Sequence, residues 1–193
     1  MKYFEQIKNL PVLNLKEELD ELIKSGVINW HSESQICLNT LKKYPSSYQI
    51  GCNSLVYDWD NAEEVLDKNG NLSIKVPEYK NKLKEEDFTV LCSQFKNTIF
   101  EKLYNELIQV YKVGRVRLIK SSPKTCLSWH RDSTNRLHFP IKTQSGCLMV
   151  IDDEVLHIPR DTWWLTKTKI SHTAFNGSSE DRIHLVVSVL NEV

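Results

Sequence analysis

The sequence predicts a mainly β fold, a double-sheet jelly roll with flanking N-terminal helices. Three observations predict it. The chain has 193 residues, which suits one domain. After residue 113, short runs of alternating apolar and polar residues follow one another, and turn signals separate them. Before residue 113, helical spacing dominates. We therefore expect one domain over 1–193, in which a helical and loop part, 1–112, packs on a β core, 113–193, that carries the functional site.

Two helices are predicted in the N-terminal part. The first follows Asn14, a good N-cap, has leucines at helical spacing and stops at Gly26. The second is predicted over Asp87–Tyr111, because apolar residues recur there with the period of a helix. The polar stretch between them, roughly 45–85, is interpreted as loops and short strands around a turn at Asn69–Gly70.

Eight strands are predicted in the C-terminal part. Each is a short run with alternating, β-branched or aromatic residues, and pairs such as Ser122-Pro123 and Asn176-Gly177 mark turns between them. Many short strands at this spacing indicate a β sandwich or barrel, with the helices on one outer face. The predicted strands are Arg115–Ser121, Thr125–Arg131, Leu137–Lys142, Gly146–Ile151, Val155–Pro159, Thr162–Thr168, His172–Phe175 and Ile183–Leu190.

Composition excludes several classes of protein. Lysine and arginine number 25, as do aspartate and glutamate, so there is no basic excess to favour a nucleic-acid or membrane partner, and we expect neither. No run approaches the ~20 apolar residues that a transmembrane helix needs. The cysteines are odd in number and scattered, which favours reduced thiols and a cytoplasmic location; they are Cys37, Cys52, Cys92, Cys126 and Cys147.

The segment Trp129-His130-Arg131-Asp132 suggests a metal site. In a strand, His130 and Asp132 point to the same face, and His172 begins a later strand that can return to the same region. Two histidines and one carboxylate form the facial triad of non-haem Fe(II) oxygenases, which leaves coordination positions open. An isolated His-x-Asp pair is a weak signal, and the ordinary alternative for His130 is a hydrogen-bonded strand histidine.

Arg182 strengthens the metal hypothesis. It lies ten residues after His172, across the Asn176-Gly177 turn, so a hairpin there would bring the two side chains together. A guanidinium binds a carboxylate through two parallel hydrogen bonds, as the distal carboxylate of 2-oxoglutarate requires. The predicted cofactors are therefore Fe(II), 2-oxoglutarate as co-substrate, and O2. The alternative is a surface arginine paired with Glu180 or Asp181.

Arg136 and His138 form a second cationic pair, again at positions i and i+2 of a strand. They suit either the first carboxylate of the co-substrate or a carboxylate of the substrate. The ordinary alternative is a solvated Arg136 and a core His138. Arg117 and His184 are further candidates for the cavity, and the cationic excess favours a substrate that carries a carboxylate or an amide.

From Arg115 to Leu190 the sequence resembles the aspartyl/asparaginyl β-hydroxylase-like branch of the Fe(II)/2-oxoglutarate oxygenases, which also contains bacterial proline-hydroxylase-like members. The resemblance rests on Gly-Arg-Val-Arg-Leu at 114–118, Ser-Pro-Lys at 122–124, Trp-His-Arg-Asp at 129–132, Arg-Leu-His-Phe-Pro-Ile at 136–141, His172, and Asp-Arg-Ile-His-Leu-Val-Val at 181–187.

This resemblance implies a double-stranded β-helix, cupin-like in form, with iron held by the histidines and aspartate named above. It implies that Arg136 and His138 contact the first carboxylate of 2-oxoglutarate and that Arg182 binds the distal one. The expected activity is hydroxylation of an amino-acid unit, either a free amino acid such as proline or an aspartyl, asparaginyl or prolyl residue in a polypeptide, with release of succinate and CO2. The animal protein hydroxylases have glycine where this chain has Asp132, so the chain is more similar to the bacterial branch.

Two other functions fit part of the same pattern. A zinc hydrolase would use the same three ligands and a bound water as nucleophile, but it gives Arg182 no role. A non-catalytic cupin-like module would bind a metal or a small molecule without needing 2-oxoglutarate.

Overall fold

The computed structural model describes residues 1–32, 34–58, 61–66, 68–70, 72–80 and 82–191. Within them, the helices are α1 (Leu15–Lys24) and α2 (Ile99–Val110), and 3-10 turns lie at Glu85–Asp87 and Ser93–Phe95. Neither α1 nor α2 has the length and apolar character needed to cross a bilayer. The strands are β1 (Phe4–Ile7), β2 (Gln35–Cys37), β3 (Asn39–Leu41), β4 (Glu63–Leu66), β5 (Leu72–Lys75), β6 (Phe88–Leu91), β7 (Val113–Ser121), β8 (Thr125–Cys126), β9 (Asn135–Lys142), β10 (Cys147–Ile151), β11 (Glu154–Leu156), β12 (Trp163–Thr166), β13 (His172–Asn176) and β14 (Arg182–Val189).

Two antiparallel sheets form the body of the molecule. The large sheet has the strand order β1-β12-β9-β14-β7-β2, and the small sheet has the order β11-β10-β13-β8. Two further ribbons, β3-β6 and β4-β5, lie outside them. This is the mainly β, jelly-roll architecture that the sequence predicted.

The outer face of the large sheet carries the main hydrophobic core. Alternate residues of its central strands, such as Leu118 on β7 and Leu185 on β14, are fully buried in one cluster with Leu19 of α1 and Leu103 of α2. The period of two along each strand and the apolar stripes of the helices bring these side chains together. Both helices thus contribute to the cluster on the outer face of the large sheet.

The inner face of the large sheet has the opposite character, because the alternate positions there are polar. Val186 on β14 lies between Arg117 on β7 and His138 on β9 in the strand register. With the small sheet, this face encloses a cavity of about 1200 Å³ that opens to solvent. Elsewhere the two sheets are joined by a smaller apolar cluster that includes Phe4 and Met149.

The N-terminal part contains more strand than predicted. β1 pairs with β12 and β2 pairs with β7, so both form edges of the large sheet. The helix expected over Asp87–Tyr111 begins only at Ile99. Phe88–Leu91 instead pairs with β3, and the hydroxyl of Thr98 accepts a hydrogen bond from the Phe100 amide and so caps the helix. Apolar spacing could not separate the short strand from the helix that follows it.

The first predicted helix and most of the C-terminal strands match the structure. α1 spans Leu15–Lys24, and Gly26 has a positive φ of 74° at its end. The β4-β5 ribbon surrounds the predicted Asn69–Gly70 turn, although positions 59, 60, 67, 71 and 81 of the stretch 45–85 lie outside the described residues. Some strands are shorter than predicted. The largest difference is at Thr125–Arg131, where only β8 forms, so His130 and Asp132 lie outside a regular strand. The strands predicted at Val155–Pro159 and Thr162–Thr168 are also shorter, as β11 and β12.

The expected hairpin between His172 and Arg182 is wrong. β13 belongs to the small sheet and β14 to the large sheet, so the turn at Asn176–Gly177 crosses from one sheet to the other. The Asn176 side-chain amide holds this crossing by donating to the carbonyls of Ser121 and Glu180. Arg182 therefore reaches the cavity across the sandwich from His172, rather than from a neighbouring strand.

Candidate metal centre and anion-binding cavity

Backbone pairing places the three predicted metal ligands together. The His130 amide donates to the His172 carbonyl at 3.0 Å, and the His172 amide donates back at 2.9 Å. The Asp132 amide donates to the Thr168 carbonyl at 2.9 Å. One ligating atom from each of His130, Asp132 and His172 lies within 4.8 Å of the others.

The histidine rings are oriented for metal binding. Nδ1 of His130 lies 2.7 Å from the Ser128 carbonyl and Nδ1 of His172 lies 3.0 Å from the Ile170 carbonyl, so each Nδ1 carries the proton. This tautomer leaves both Nε2 atoms as ligands. Burial lowers the pKa of His172, which favours the neutral ring that a metal needs. Two imidazoles and a carboxylate with open positions beside them fit Fe(II).

Arg182 is a buried cation without an acidic partner. It begins β14 on the inner face, is 5% exposed, and places Nε and one Nη atom 3.1 Å from the ring nitrogens of His184. No carboxylate among the described residues forms an ion pair with it; Glu180 pairs instead with Lys142 at 3.0 Å. Burial lowers the pKa of Arg182 to about 10, which still leaves it charged at neutral pH. An unpaired buried charge is costly, so an anion is the partner that this position lacks.

Two neutral histidines connect Arg182 with the metal centre. His184 lies beside Arg182, and its Nδ1 is 3.4 Å from Nδ1 of His138. Burial first, and then the charge of Arg182, hold the pKa of both rings well below the usual value. His172 lies close enough to His138 that a charge on the His172 ring would lower the pKa of His138 further. The cavity thus has a row of nitrogen atoms that runs from the guanidinium toward the candidate ligands.

An ion network borders the other side of the candidate ligands. Nε of Arg136 lies 3.2 Å from Oδ2 of Asp132, although not aligned as a hydrogen bond, and one Nη lies 3.0 Å from Oε1 of Glu85. The second Nη donates to the Thr134 hydroxyl. Glu85 also binds Arg115 through both oxygens, at 3.0 and 2.9 Å.

Arg117 is a second buried cation that forms no ion pair with a carboxylate in the described part of the chain. One Nη donates to Oε1 of Gln35 at 3.0 Å, and its Nε has no hydrogen-bond partner among the same residues. Burial, followed by the charges of Arg115 and Arg136, lowers its pKa to about 10. Arg117 thus lines the cavity with hydrogen-bonding capacity to spare.

All six predicted site residues and both additional candidates line this one cavity: His130, Asp132, His172, Arg136, His138, Arg182, Arg117 and His184. Their roles remain predictions. Sequence reasoning missed Glu85, which is 6% exposed, and Gln35. Glu85 begins a run of three acidic residues, which is typical of a solvated turn, and nothing in the sequence distinguishes it from Glu86.

The sequence is similar to a known protein family and to a curated relative. Residues 14–192 match the model of the family described as aspartyl/asparaginyl β-hydroxylase. The L-proline cis-4-hydroxylase of Rhizobium meliloti (strain 1021) is 27% identical over 93 residues, which cover 43% of this chain and 33% of that protein. The chain thus aligns with about one third of the length of this curated relative.

Solved structures show weaker likenesses. A viral collagen prolyl hydroxylase from Paramecium bursaria Chlorella virus-1 has a TM-score of 0.41 at 12% identity and covers 97% of both chains. A 2OG-Fe(II) oxygenase-family protein from Burkholderia pseudomallei has a TM-score of 0.37 at 14% identity, covering 40% of this chain and 43% of its own. A cupin domain from Bordetella pertussis has a TM-score of 0.35 at 18% identity, covering 40% and 81%. Structural similarity at these TM-scores does not indicate an activity for this chain.

Proposed function

Because the chain belongs to the aspartyl/asparaginyl β-hydroxylase family, whose model matches residues 14–192, we propose that it is an Fe(II)- and 2-oxoglutarate-dependent dioxygenase that hydroxylates an amino-acid unit. One observation carries the proposal: a two-histidine, one-carboxylate cluster shares a cavity with Arg182, a buried guanidinium that lacks an acidic partner. The proposed partner is an amino acid or a polypeptide.

The proposed ligands of Fe(II) are His130, Asp132 and His172. Iron and 2-oxoglutarate, when bound, supply the oxidation, which consumes O2 and releases succinate and CO2. The side chains of this protein hold and orient the reactants. Arg182 has the fork geometry to hold the distal carboxylate of 2-oxoglutarate through two parallel hydrogen bonds.

His138 and Arg136 are proposed to contact the first carboxylate. Neutral His138 has a ring proton to donate, and it lies on the cavity wall beside His184. Arg136 has five N–H groups, of which three face the oxygens of Asp132, Glu85 and Thr134, so donors remain for a co-substrate.

A zinc hydrolase and a non-catalytic binding module would each use fewer of the residues that line the cavity. A zinc hydrolase would use the ligand cluster and a water, and a non-catalytic binding module would use the cluster alone. Neither gives a partner to Arg182, whose burial without a carboxylate is the feature that 2-oxoglutarate explains.

The substrate is proposed to carry a carboxylate or a backbone amide near Arg117. The described buried residues include four arginines of the cavity wall, Arg115, Arg117, Arg136 and Arg182, but only one carboxylate, Glu85. Arg115 and Arg136 both form ion pairs with Glu85, and the distal carboxylate of 2-oxoglutarate would pair with Arg182. Arg117 is left, and an oxygen of the substrate would complete its pairing.

The activity is tested by measuring succinate. Purified protein should convert 2-oxoglutarate to succinate only with Fe(II) and O2, slowly even without a substrate. Alanine at His130, Asp132 or His172 should abolish this turnover, because the metal then lacks a full face of ligands. His31→Ala is the control, since His31 lies outside the cavity lining and should leave turnover intact. Wild-type succinate formation by any of the three ligand variants would contradict the assignment.

The role of Arg117 is tested by comparing coupled and uncoupled turnover. In Arg117→Ala, oxidation of an amino-acid substrate found by mass-spectrometric screening should fall, while substrate-independent succinate formation persists. Arg160→Ala, at a guanidinium that is 63% exposed, should change neither rate. A parallel loss of both rates in Arg117→Ala would assign this residue to the co-substrate or to the fold.

A further inference from the structure

A chain of buried ion pairs links the 3-10 turn Glu85–Asp87 to the candidate metal ligand Asp132. Glu85 holds Arg136 at 3.0 Å, and Arg136 lies 3.2 Å from Asp132. Glu85 and Arg136 are 6% and 3% exposed, so solvent does not screen their interaction. A residue of the N-terminal part therefore reaches the metal centre through one intermediate side chain.

The far end of this chain is fixed. Arg115 binds both oxygens of Glu85, and its remaining Nη donates to the carbonyls of Gly51 and Asn53 at 2.6 and 2.9 Å. The Arg115 amide also donates to Glu85 at 3.2 Å. With its carboxylate held from three directions, Glu85 offers Arg136 an anion at a defined position.

Arg136 lies between two carboxylates, and the metal centre depends on how it divides its contacts. Oδ2 of Asp132 is 3.2 Å from Nε of Arg136 and 3.7 Å from Nε2 of His172. A guanidinium released from Glu85 would be free to turn its fork fully onto Asp132. It would then compete with a divalent cation for the same oxygens.

We propose that Glu85 is a positioning residue for the metal centre: by holding Arg136, it keeps the Asp132 carboxylate oriented toward His172 and available to the metal. The inference rests on the proposed function, since it takes Asp132 as a metal ligand. It also gives a role to Glu85 as a buried carboxylate among the arginines that line the cavity. Glu85 acts through Arg136, which lies between it and Asp132.

Cobalt(II) titration of the 193-residue protein without oxygen tests the proposal, with affinity and the visible Co(II) spectrum as readouts. Glu85→Gln should weaken Co(II) binding about tenfold or more and alter the spectrum, as for other residues that orient metal ligands. Glu85→Asp, which keeps the charge, should lose less. The matched control is Glu86→Gln, at the next residue of the same turn with its side chain 57% exposed, which should bind like wild type.

The double variant Glu85→Gln/Arg136→Met separates positioning from a merely structural role. If Glu85 acts through Arg136, removing the competing guanidinium should restore Co(II) affinity toward that of Arg136→Met alone. The double variant also removes one buried charge of each sign. Should Glu85→Gln fail to fold, the comparison of Arg136→Met with the double variant decides, and the two should agree within about twofold.

Each outcome has one reading. Unchanged Co(II) affinity in Glu85→Gln, or a double variant much weaker than Arg136→Met, would overturn the positioning role while leaving the proposed function intact. A wild-type protein that binds no Co(II) would overturn both.

Discussion

At the scale of single residues, the cavity contains two buried arginines, Arg117 and Arg182, that form no ion pair within the described residues. Arg182 is buried and has a neutral histidine where an ion pair would normally be found. Such a group is unfavourable in the free protein and favourable once an anion binds. Burial of Arg182 therefore favours the binding of an anionic ligand and lowers the stability of the ligand-free protein.

Arg182→Lys should weaken 2-oxoglutarate binding while leaving metal affinity nearly unchanged. Lysine keeps the charge but cannot form two parallel hydrogen bonds to a carboxylate, so the loss should be about 1.5–3 kcal/mol, or roughly tenfold or more. Calorimetric titration of 2-oxoglutarate into Co(II)-loaded protein measures it. If the titration curve does not change, another cation holds the distal carboxylate.

Glu85 should make the free energy of unfolding depend on pH in the acidic range. Burial alone would raise its pKa, but hydrogen bonds and charge from Arg115, followed by the charges of Arg136 and Arg117, lower it to about 2. A carboxyl group whose pKa is lower in the folded state than in the unfolded state stabilises the fold at any pH above its unfolded-state pKa. This stabilisation is lost as the pH falls through its folded-state pKa. The contribution of this group, about 3 kcal/mol, should therefore disappear between about pH 4.5 and pH 2.

Urea unfolding at several pH values checks the prediction for Glu85. The stability difference between wild type and Glu85→Gln should shrink across that window, whereas Glu86→Gln should follow wild type throughout. A difference that stays constant with pH would mean that Glu85 titrates normally.

Individual site residues were predictable where the spacing of residues along the sequence determines which side chains lie on the same face. The pair Arg136 and His138 could be found because positions i and i+2 of β9 share a face, and Arg182 because it begins an apolar strand after a turn. The same argument does not hold for His130 and Asp132, which lie beyond β8 and are placed by backbone hydrogen bonds to His172 and Thr168. Glu85 could not be found, because its burial arises from a long-range contact with Arg115, 30 positions away. No local pattern encodes that contact.

At the scale of elements, periodicity located the long elements and failed for short ones. α1, β7, β9 and β14 appear close to their predicted bounds, since each repeats its pattern over several residues. β1 and β2 were not predicted from the spacing of apolar residues, because neither strand alternates buried and exposed residues. Their positions depend on β12 and β7, the strands with which they pair.

The loop that holds Arg115 depends on a glycine. Gly51 has a φ of 88°, and a Cβ there would overlap the Phe88 ring of β6. Gly51→Ala should lower the free energy of unfolding by roughly 2–4 kcal/mol, because strain at positive φ adds to overpacking.

Gly26→Ala is the matched control for this prediction. Gly26 has a similar φ of 74°, but a Cβ there meets nothing within 4 Å. The substitution should cost about 1 kcal/mol, from the backbone conformation alone. Denaturant unfolding of both variants provides the comparison, and equal losses would show that the contact with Phe88 is not tight.

At the scale of the whole molecule, the two halves of the sequence share one core. The main cluster contains Leu103 and Leu107 of α2 together with Leu137 and Val187 of the large sheet. The predicted single domain, 1–193, remains to be tested as a folding unit. The pairing of sheets was not predictable from sequence, because the turn after β13 gives no sign that the chain changes sheet there.

A chain that starts at residue 113 should be insoluble or poorly folded. It would lack α1 and α2, which cover the outer face of the large sheet, and β1 and β2, which form its edges. Uncovered apolar surface and open edges promote aggregation. Circular dichroism and gel filtration of this fragment beside the full chain test the prediction, and a soluble fragment that binds iron would show that the domain boundary is wrong.

The visible spectrum of the protein with Fe(II) and 2-oxoglutarate in the absence of oxygen tests the proposed dioxygenase activity most directly. A 2-oxo acid chelated to Fe(II) gives a weak visible charge-transfer band, which neither a zinc hydrolase nor a binding module without 2-oxoglutarate would produce. We predict this band for the wild-type protein, its loss in His130→Ala, and a higher 2-oxoglutarate requirement in Arg182→Lys. A wild-type spectrum without the band at saturating Fe(II) and 2-oxoglutarate would contradict the account.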